Sequence, residues 1–279
     1  VEEVKKIQEI NLHKIIRSQK NFFVRNLPGF IIRRINKSFH IDEMNLIIRN
    51  NQNNYGFDFV KGCVDHLNLK VKAINEHLIP LRGRFIFAAN HPLGAVDFAT
   101  VIGNIHEKFK NIKIIANDLF LHVENTKEIF LPVDTFKNSD PVKKEAIENH
   151  LSGNDSQLFI FPAGKVARIV NGKYDDGPWH RSFIRNAIEH QRDVIPVFIG
   201  GRNSKRFYRF ANFRRFLKIK ANLELFLLPG EVFKQRNATI PIIFGSPVPY
   251  TVFNDSKSHL EWADEVKKIV YNLEKQYMY

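Results

Sequence analysis

Apolar positions along this chain change their period near residue 69. Before that point Ile7, Ile10 and Ile15, and then Met44, Ile47 and Ile48, recur at the spacing of one helical face, so residues 1 to about 80 read as largely helical. Leu27-Pro28-Gly29 interrupts that run. From about Leu69 short β-rich runs begin to alternate with helical ones. Strands are expected over residues 69–74, 84–89, 113–116, 130–133, 158–161, 194–199 and 240–245. Helices are expected over 98–105, 141–151, 179–190 and 258–277. The alternation argues for an α/β sheet with helices on its faces. With no internal repeat and no low-complexity linker, the economical division is a helical N-terminal region, residues 1–68, packed on one α/β domain, residues 69–279.

Composition adds a core and a charge. A chain of 279 residues with 44% hydrophobic and 12% aromatic content can bury a sizeable core, which excludes disorder. Its 42 basic and 29 acidic side chains leave a net charge of +13, which calls for an anionic partner: nucleic acid, a phospholipid surface or an acidic carrier protein. From Arg17 to Lys37 there are six basic residues and no acidic one, interleaved with Phe22, Phe23, Phe30, Ile31 and Ile32. From Arg202 to Lys220 there are eight and again no acid, with Phe207, Tyr208, Phe210, Phe213 and Phe216 among them. Cationic heads beside aromatic rings suit the interface of an anionic bilayer; core rings under a solvated basic face are the plain alternative. Phe22, Phe23, Arg25, Phe30, Arg33 and Arg34 are the candidate docking residues. Nucleic acid is not the expected partner, because there is no zinc-finger spacing and no RNP-like aromatic strand.

No apolar run approaches the ~20 residues that span a bilayer, and Val1 to Lys6 show no signal-peptide pattern. Membrane contact is therefore expected to be peripheral, at the cytoplasmic face of the cytoplasmic membrane. Cys63 stands alone, so no intrachain disulfide and no zinc site built on Cys pairs can form, and a reducing compartment is expected. Its apolar helical setting makes it a core residue rather than a nucleophile.

The chemistry is concentrated in Asn90-His91-Pro92-Leu93-Gly94-Ala95-Val96-Asp97, which follows the buried run 84–89. A histidine at a strand's end with a carboxylate six positions later is the minimal apparatus for general-base catalysis. The imidazole takes a proton while the carboxylate holds its tautomer and stabilises the imidazolium. Pro92 and Gly94 shape the turn, and Asp97 suits the first turn of the following helix. A solvated loop histidine and a capping aspartate would have the same spacing.

Three further strings decide between these readings: Phe130-Leu131-Pro132-Val133-Asp134, Phe161-Pro162-Ala163-Gly164-Lys165-Val166-Ala167-Arg168, and Val194-Ile195-Pro196-Val197. Together with the first block, in this order, they resemble the glycerolipid acyltransferase superfamily, the lysophosphatidic acid acyltransferase-like enzymes with a His-four-residues-Asp signature. The likeness is greatest to the haemolysin-like branch, which includes O-acyltransferases of ornithine and glycine lipids. Asn117-Asp118-Leu119 and Asn203-Ser204 followed by Phe207-Tyr208 also resemble that branch. The resemblance runs from about residue 40 to 250. It implies a mixed, largely parallel sheet flanked by helices, and transfer of a fatty acyl group from acyl-ACP or acyl-CoA to the free hydroxyl of a lyso-lipid, with no cofactor and no metal. His91 is then the base, oriented by Asp97, and Asn90, Gly94, Pro162, Gly164, Lys165 and Arg168 are the candidate substrate-binding residues.

Two departures bear on the acceptor. The superfamily has Phe-Pro-Glu-Gly in the third block where this chain has Ala163, and an arginine at the end of the second where it has Asp134. Both changes remove groups associated with a phosphate-bearing acceptor. Lys165 and Arg168 remain as cations for an anionic headgroup, so a lyso-aminolipid carboxylate is favoured, with lysophosphatidic acid the competitor. Oxyanion donors are expected from backbone N–H groups or a basic side chain near the Gly164 turn. Trp179 is expected to pack rather than to line the acceptor pocket. His150, His190 and His259 are expected to be solvated, both members of the catalytic pair to sit outside the core, and the apolar run 225–228 to be core.

Overall fold

Alternation along the strands sorts the side chains of one sheet onto two faces. The computed structural model describes residues 9–18, 22–117, 123–133, 141–170, 172–218 and 223–277. Seven strands form the sheet: β1 (Lys70–Ile74), β2 (Phe85–Ala89), β3 (Ile112–Asn117), β4 (Phe130–Val133), β5 (Gln157–Ile160), β8 (Asp193–Ile199) and β9 (Thr239–Phe244). Their order is β1-β9-β8-β2-β5-β3-β4, parallel throughout except where β8 meets β9. The sheet is mixed and largely parallel, as expected, and every strand expected from the sequence is present.

Phe85, Phe87 and Ala89 of β2 face one core together with Ile195, Val197 and Ile199 of β8; Ile86 and Ala88 face the other, with Val194 and Phe198. Helices α4 (Ile41–Asn50), α5 (Gly56–His66) and α6 (Ala95–Lys108) cover the first face through Ile47, Val60 and Ile102. Helices α7 (Pro141–Leu151), α8 (Ser182–Glu189) and α11 (His259–Tyr277) cover the second through Leu151, Phe183 and Val266. Because central strands are buried on both sides, β2 and β5 have no exposed residue at all. The N-terminal helices α1 (Leu12–Arg17), α2 (Phe22–Arg25) and α3 (Gly29–Ser38) lie before this sandwich, and α4 and α5 share its core. Among the described residues no helix is long and apolar enough to cross a membrane.

Two features escaped the apolar pattern. A two-stranded antiparallel hairpin, β6 (Arg168–Val170) and β7 (Lys173–Asp175), follows the third block; strands of three residues are too short to show a period. The basic stretch after β8 is a helix, α9 (Lys205–Phe216), followed by a 3-10 turn (Leu223–Leu227) and α10 (Leu228–Lys234). In addition, α8 begins at Ser182 rather than at 179; Arg181 is its N-cap, and the His180 N–H before it donates to the Pro162 carbonyl at 2.9 Å.

Candidate active site

β2 ends at Ala89, and Asn90 continues its pairing with β8 by a side chain. The wholly buried Asn90 amide donates to the Ile199 carbonyl (2.8 Å) and accepts from the Ile199 N–H (2.7 Å). The backbone is thereby free to turn out of the sheet, carrying His91 with it. His91 Nδ1 lies 2.8 Å from Asp97 Oδ2, and the same oxygen accepts the Leu93 and Gly94 N–H groups at 2.8 and 3.0 Å. Five residues, not the four of the superfamily signature, separate the pair. Gly94 lies within the turn between them, and its φ of +78° is a conformation that favours glycine.

The carboxylate is fully buried and the ring is 18% exposed, which corrects the expectation that both lie outside the core. Burial pushes the Asp97 carboxyl above the usual carboxylate range, while the His91 ring and the two N–H groups pull it back. The His91 ring stacks on Phe161, with centroids 4.1 Å apart and planes 20° apart, and the His91 carbonyl accepts the Ala167 N–H at 2.7 Å. With Nδ1–H given to Asp97, Nε2 carries the lone pair, and it has no partner among the described residues. The arrangement is that of a general base aimed outward from the end of a central strand.

The candidate binding residues divide into scaffold and surface. Asn90 is spent on β8, and Gly94 and Pro162 are buried in their turns. Gly164, at φ +62°, and Lys165 are exposed; Lys165 Nζ lies 3.2 Å from where a Cβ on Gly177 would be, and no ion pair to it is present among the described residues. The His180 ring lies 3.8 Å from the corresponding position on Gly164. Arg168 requires correction. Its guanidinium is paired with the buried Glu224 (3.1 Å), donates to the Val166 and Ala167 carbonyls, and lies 4.7 Å over the Phe207 ring. Arg214 closes on the other Glu224 oxygen at 2.6 Å. Arg168 is therefore a structural ion, and Lys165 is the cation left beside the third block.

Residues with no assigned role in the sequence complete the site. Asn203 Nδ2 donates to the Pro92 carbonyl (3.0 Å), and Asn203 N–H donates to the Tyr208 hydroxyl (3.0 Å). Ser204 caps α9 and bonds the buried Glu231. The string Asn203-Ser204…Phe207-Tyr208 was the signal: it pins the His91–Asp97 turn from the end of the neighbouring strand β8. Trp179 is buried and donates Nε1–H to Asp176, a packing role as expected.

Other expectations fare differently. His150 and His190 are not solvated: they hold the Gln157 carbonyl and the Glu148 carboxylate, each at 2.7 Å. Nor is 225–228 core, since Leu225 is 37% and Phe226 62% exposed while Leu227 and Leu228 are only partly covered. Phe22 and Phe30 are exposed, as are Arg25, Arg33 and Arg34; the Phe23 side chain, Asp118, Leu119 and Asp134 lie outside the described residues. A groove of about 720 Å³ between α4 and α10 contains Glu43, which already pairs with His40, His66 and Arg236, and it holds none of the motif residues.

An acyltransferase family model matches residues 14–278, a wider span than the motifs cover. A lyso-glycine lipid O-acyltransferase of Bacteroides thetaiotaomicron is 34% identical over 268 residues, 95% of this chain and 97% of its own. A protein of the same name from Phocaeicola vulgatus is 30% identical over 266 residues, 95% of each chain. Among solved structures, the 1-acyl-sn-glycerophosphate (LPA) acyltransferase PlsC of Thermotoga maritima is similar over 89% of this chain and 87% of its own, at 17% identity and a TM-score of 0.47, too loose a likeness to carry residue roles across.

Proposed function

The chain belongs to the acyltransferase family, and from that premise we propose that it moves a fatty acyl group from acyl-ACP or acyl-CoA to the free hydroxyl of a lyso-glycine lipid. Charge alone also allowed a non-enzymatic basic binding protein; family membership makes the chain an enzyme. The observation that carries the mechanism is the 2.8 Å contact between His91 Nδ1 and Asp97 Oδ2, which leaves Nε2 as the acceptor of a proton.

A thioester is already activated, so the acceptor hydroxyl attacks it directly. His91 Nε2 takes the hydroxyl proton as the new C–O bond forms, and Asp97 stabilises the imidazolium. The tetrahedral oxyanion collapses, the C–S bond breaks, and the leaving thiolate takes the proton back from Nε2. Ester, thiol and neutral His91 result, with no acyl-enzyme. Lys165 is the cation placed to meet either the oxyanion or the acceptor's carboxylate at the Gly164 turn. The carboxylate reading is supported by Ala163 standing where the superfamily has glutamate, and by the names of the two relatives. The enzyme works at the cytoplasmic face of the membrane, held peripherally through Phe22, Phe23, Arg25, Phe30, Arg33 and Arg34.

Lipid analysis of cells lacking this protein tests the acceptor. Loss of a di-acylated glycine lipid with build-up of its mono-acyl form is expected. Accumulated lysophosphatidic acid with normal aminolipids would assign the competing acceptor and leave the roles of His91 and Asp97 standing.

A further inference from the structure

The helix α9 has one face that builds the site and one that builds nothing. Phe207, Tyr208 and Ala211 are buried, and Phe207 and Tyr208 pack on Val166, with Leu228 beside them. Val166 immediately precedes Ala167, whose N–H holds the His91 carbonyl, and Leu228 lies 3.7 Å from where a Cβ on Gly94 would be. Arg214 and Arg168 meet on Glu224, which ties α9 to the hairpin strand β6 by a buried ion group. This inner face is therefore rigidly joined to the catalytic turn.

The outer face carries Arg206, Arg209, Phe210, Phe213, Phe216 and Leu217, which a 3.6-residue period places on one stripe. Phe213 is 58% and Phe216 80% exposed. Beside it, the 3-10 turn adds the exposed Phe226, whose ring stacks on Phe39 at the end of α3, the helix bearing Phe30 and Arg33. Between Arg202 and Lys220 the chain has eight cations and no acid, and Glu224, which meets Arg214 of α9, and Glu231, which meets its N-cap Ser204, are both buried away from the outer face. Solvent-facing phenylalanines are expensive to leave in water, and cations between them favour an anionic surface that also accepts rings.

We propose that the outer face of α9, extended by Phe226, is a docking surface for an anionic phospholipid bilayer, distinct from the N-terminal stretch. An acidic carrier protein would satisfy the arginines but offers no acyl boundary for Phe213 and Phe216. Docking there sets the His91 turn, one helix thickness away, against the lipid from which an acyl acceptor must come. That consequence rests on the lyso-lipid reading; the binding itself does not.

Sedimentation with vesicles needs no turnover, so it separates the two. The full chain should co-sediment with phosphatidylcholine vesicles doped with phosphatidylglycerol and much less with phosphatidylcholine alone. Phe213→Ser/Phe216→Ser and, separately, Arg206→Glu/Arg209→Glu should each weaken binding by about tenfold or more, with melting temperature and turnover of a short-chain, water-soluble acceptor unchanged. Vesicle binding by both variants equal to the parent overturns the proposal. So does a dimer in solution that the phenylalanine variant splits while vesicles are ignored, which would seat a second copy on α9. Loss of activity only with acyl-ACP, at full vesicle binding, would seat the carrier there instead.

Discussion

His91 and Asp97 divide their labour by burial: the ring keeps an opening to solvent, and the carboxylate has none. His91→Ala should abolish acyl transfer and lower thermal stability without unfolding the chain. The stack on Phe161 and one of three hydrogen bonds to the buried Asp97 Oδ2 are lost, while the Leu93 and Gly94 N–H groups still hold it. Asp97→Asn should lower turnover by about 10³- to 10⁴-fold, the scale expected when the orienting carboxylate of such a pair is neutralised. It should also lower the melting temperature, since the same oxygen holds two N–H groups of the turn. Labelled acyl thioester and calorimetry on both variants check the pair. Near-parental turnover in His91→Ala would remove the mechanism. Arg168 shows what residue type alone cannot reveal. Beside the third block it reads as a free cation, yet its partner Glu224 is 56 positions away in sequence, a pairing that only the packing of α9 on β6 creates.

At the scale of elements, the hairpin is fastened to the closing helix by a buried carboxyl. Asp176, just past β7, accepts from the Tyr271 hydroxyl of α11 (3.0 Å) and from Trp179 Nε1 (3.2 Å). Burial pushes its pKa from 3.8 up to about 6, against the pull of Tyr271 and Lys267. A carboxyl that is harder to ionise when folded binds its proton more tightly in the native state. Its contribution to stability is therefore present at low pH and lost as pH rises from 3.8 through about 6. Melting temperatures of the parent and of Asp176→Asn should diverge against the parent across that window and run parallel above it. A difference that does not vary with pH would mean that Asp176 titrates alike in the folded and unfolded chain. The fully buried Arg192 similarly secures α7 to β5 by donating to the Leu151, Gly153 and Ser156 carbonyls. Nothing in a run of sequence marks such an arginine as interior.

For the whole molecule, the sheet was legible because period-2 and period-3.6 patterns report burial directly. The His91–Asp97 contact was legible only as a spacing at a strand's end, and the burial of its carboxylate was not. The 130–133 and 141–151 elements match end to end. Partnership was less legible. Asn203, Glu224 and Glu231 look like surface polar residues until the fold brings Pro92, Arg168 and Ser204 to them. The run 225–228 misled because four apolar residues resemble core whether or not anything covers them. The excess of +13 acts at this scale too. Charge reversal of Arg25, Arg33 and Arg34 together should reduce sedimentation with anionic vesicles, and added salt should reduce it in the parent, because screening at about 0.15 M already confines such attraction to roughly 8 Å. Equal binding to neutral and anionic vesicles would make α2 and α3 ordinary surface.

All three donors to Asp97 converge on Oδ2, and Oδ1 is buried with no hydrogen-bond partner among the described residues. A carboxylate loaded on one side cannot share its electrons evenly between its two C–O bonds. The bond to Oδ1 gains double-bond character, the bond to Oδ2 loses it, and negative charge gathers on the oxygen that faces the imidazole. The charge that a protonated ring will need is thus polarised into place before any proton moves. Such asymmetry has a vibrational signature. Isotope-edited infrared spectra of the aspartates, compared with those of Asp97→Asn, should contain a carboxylate whose antisymmetric and symmetric stretches are split more widely than those of its solvated counterparts.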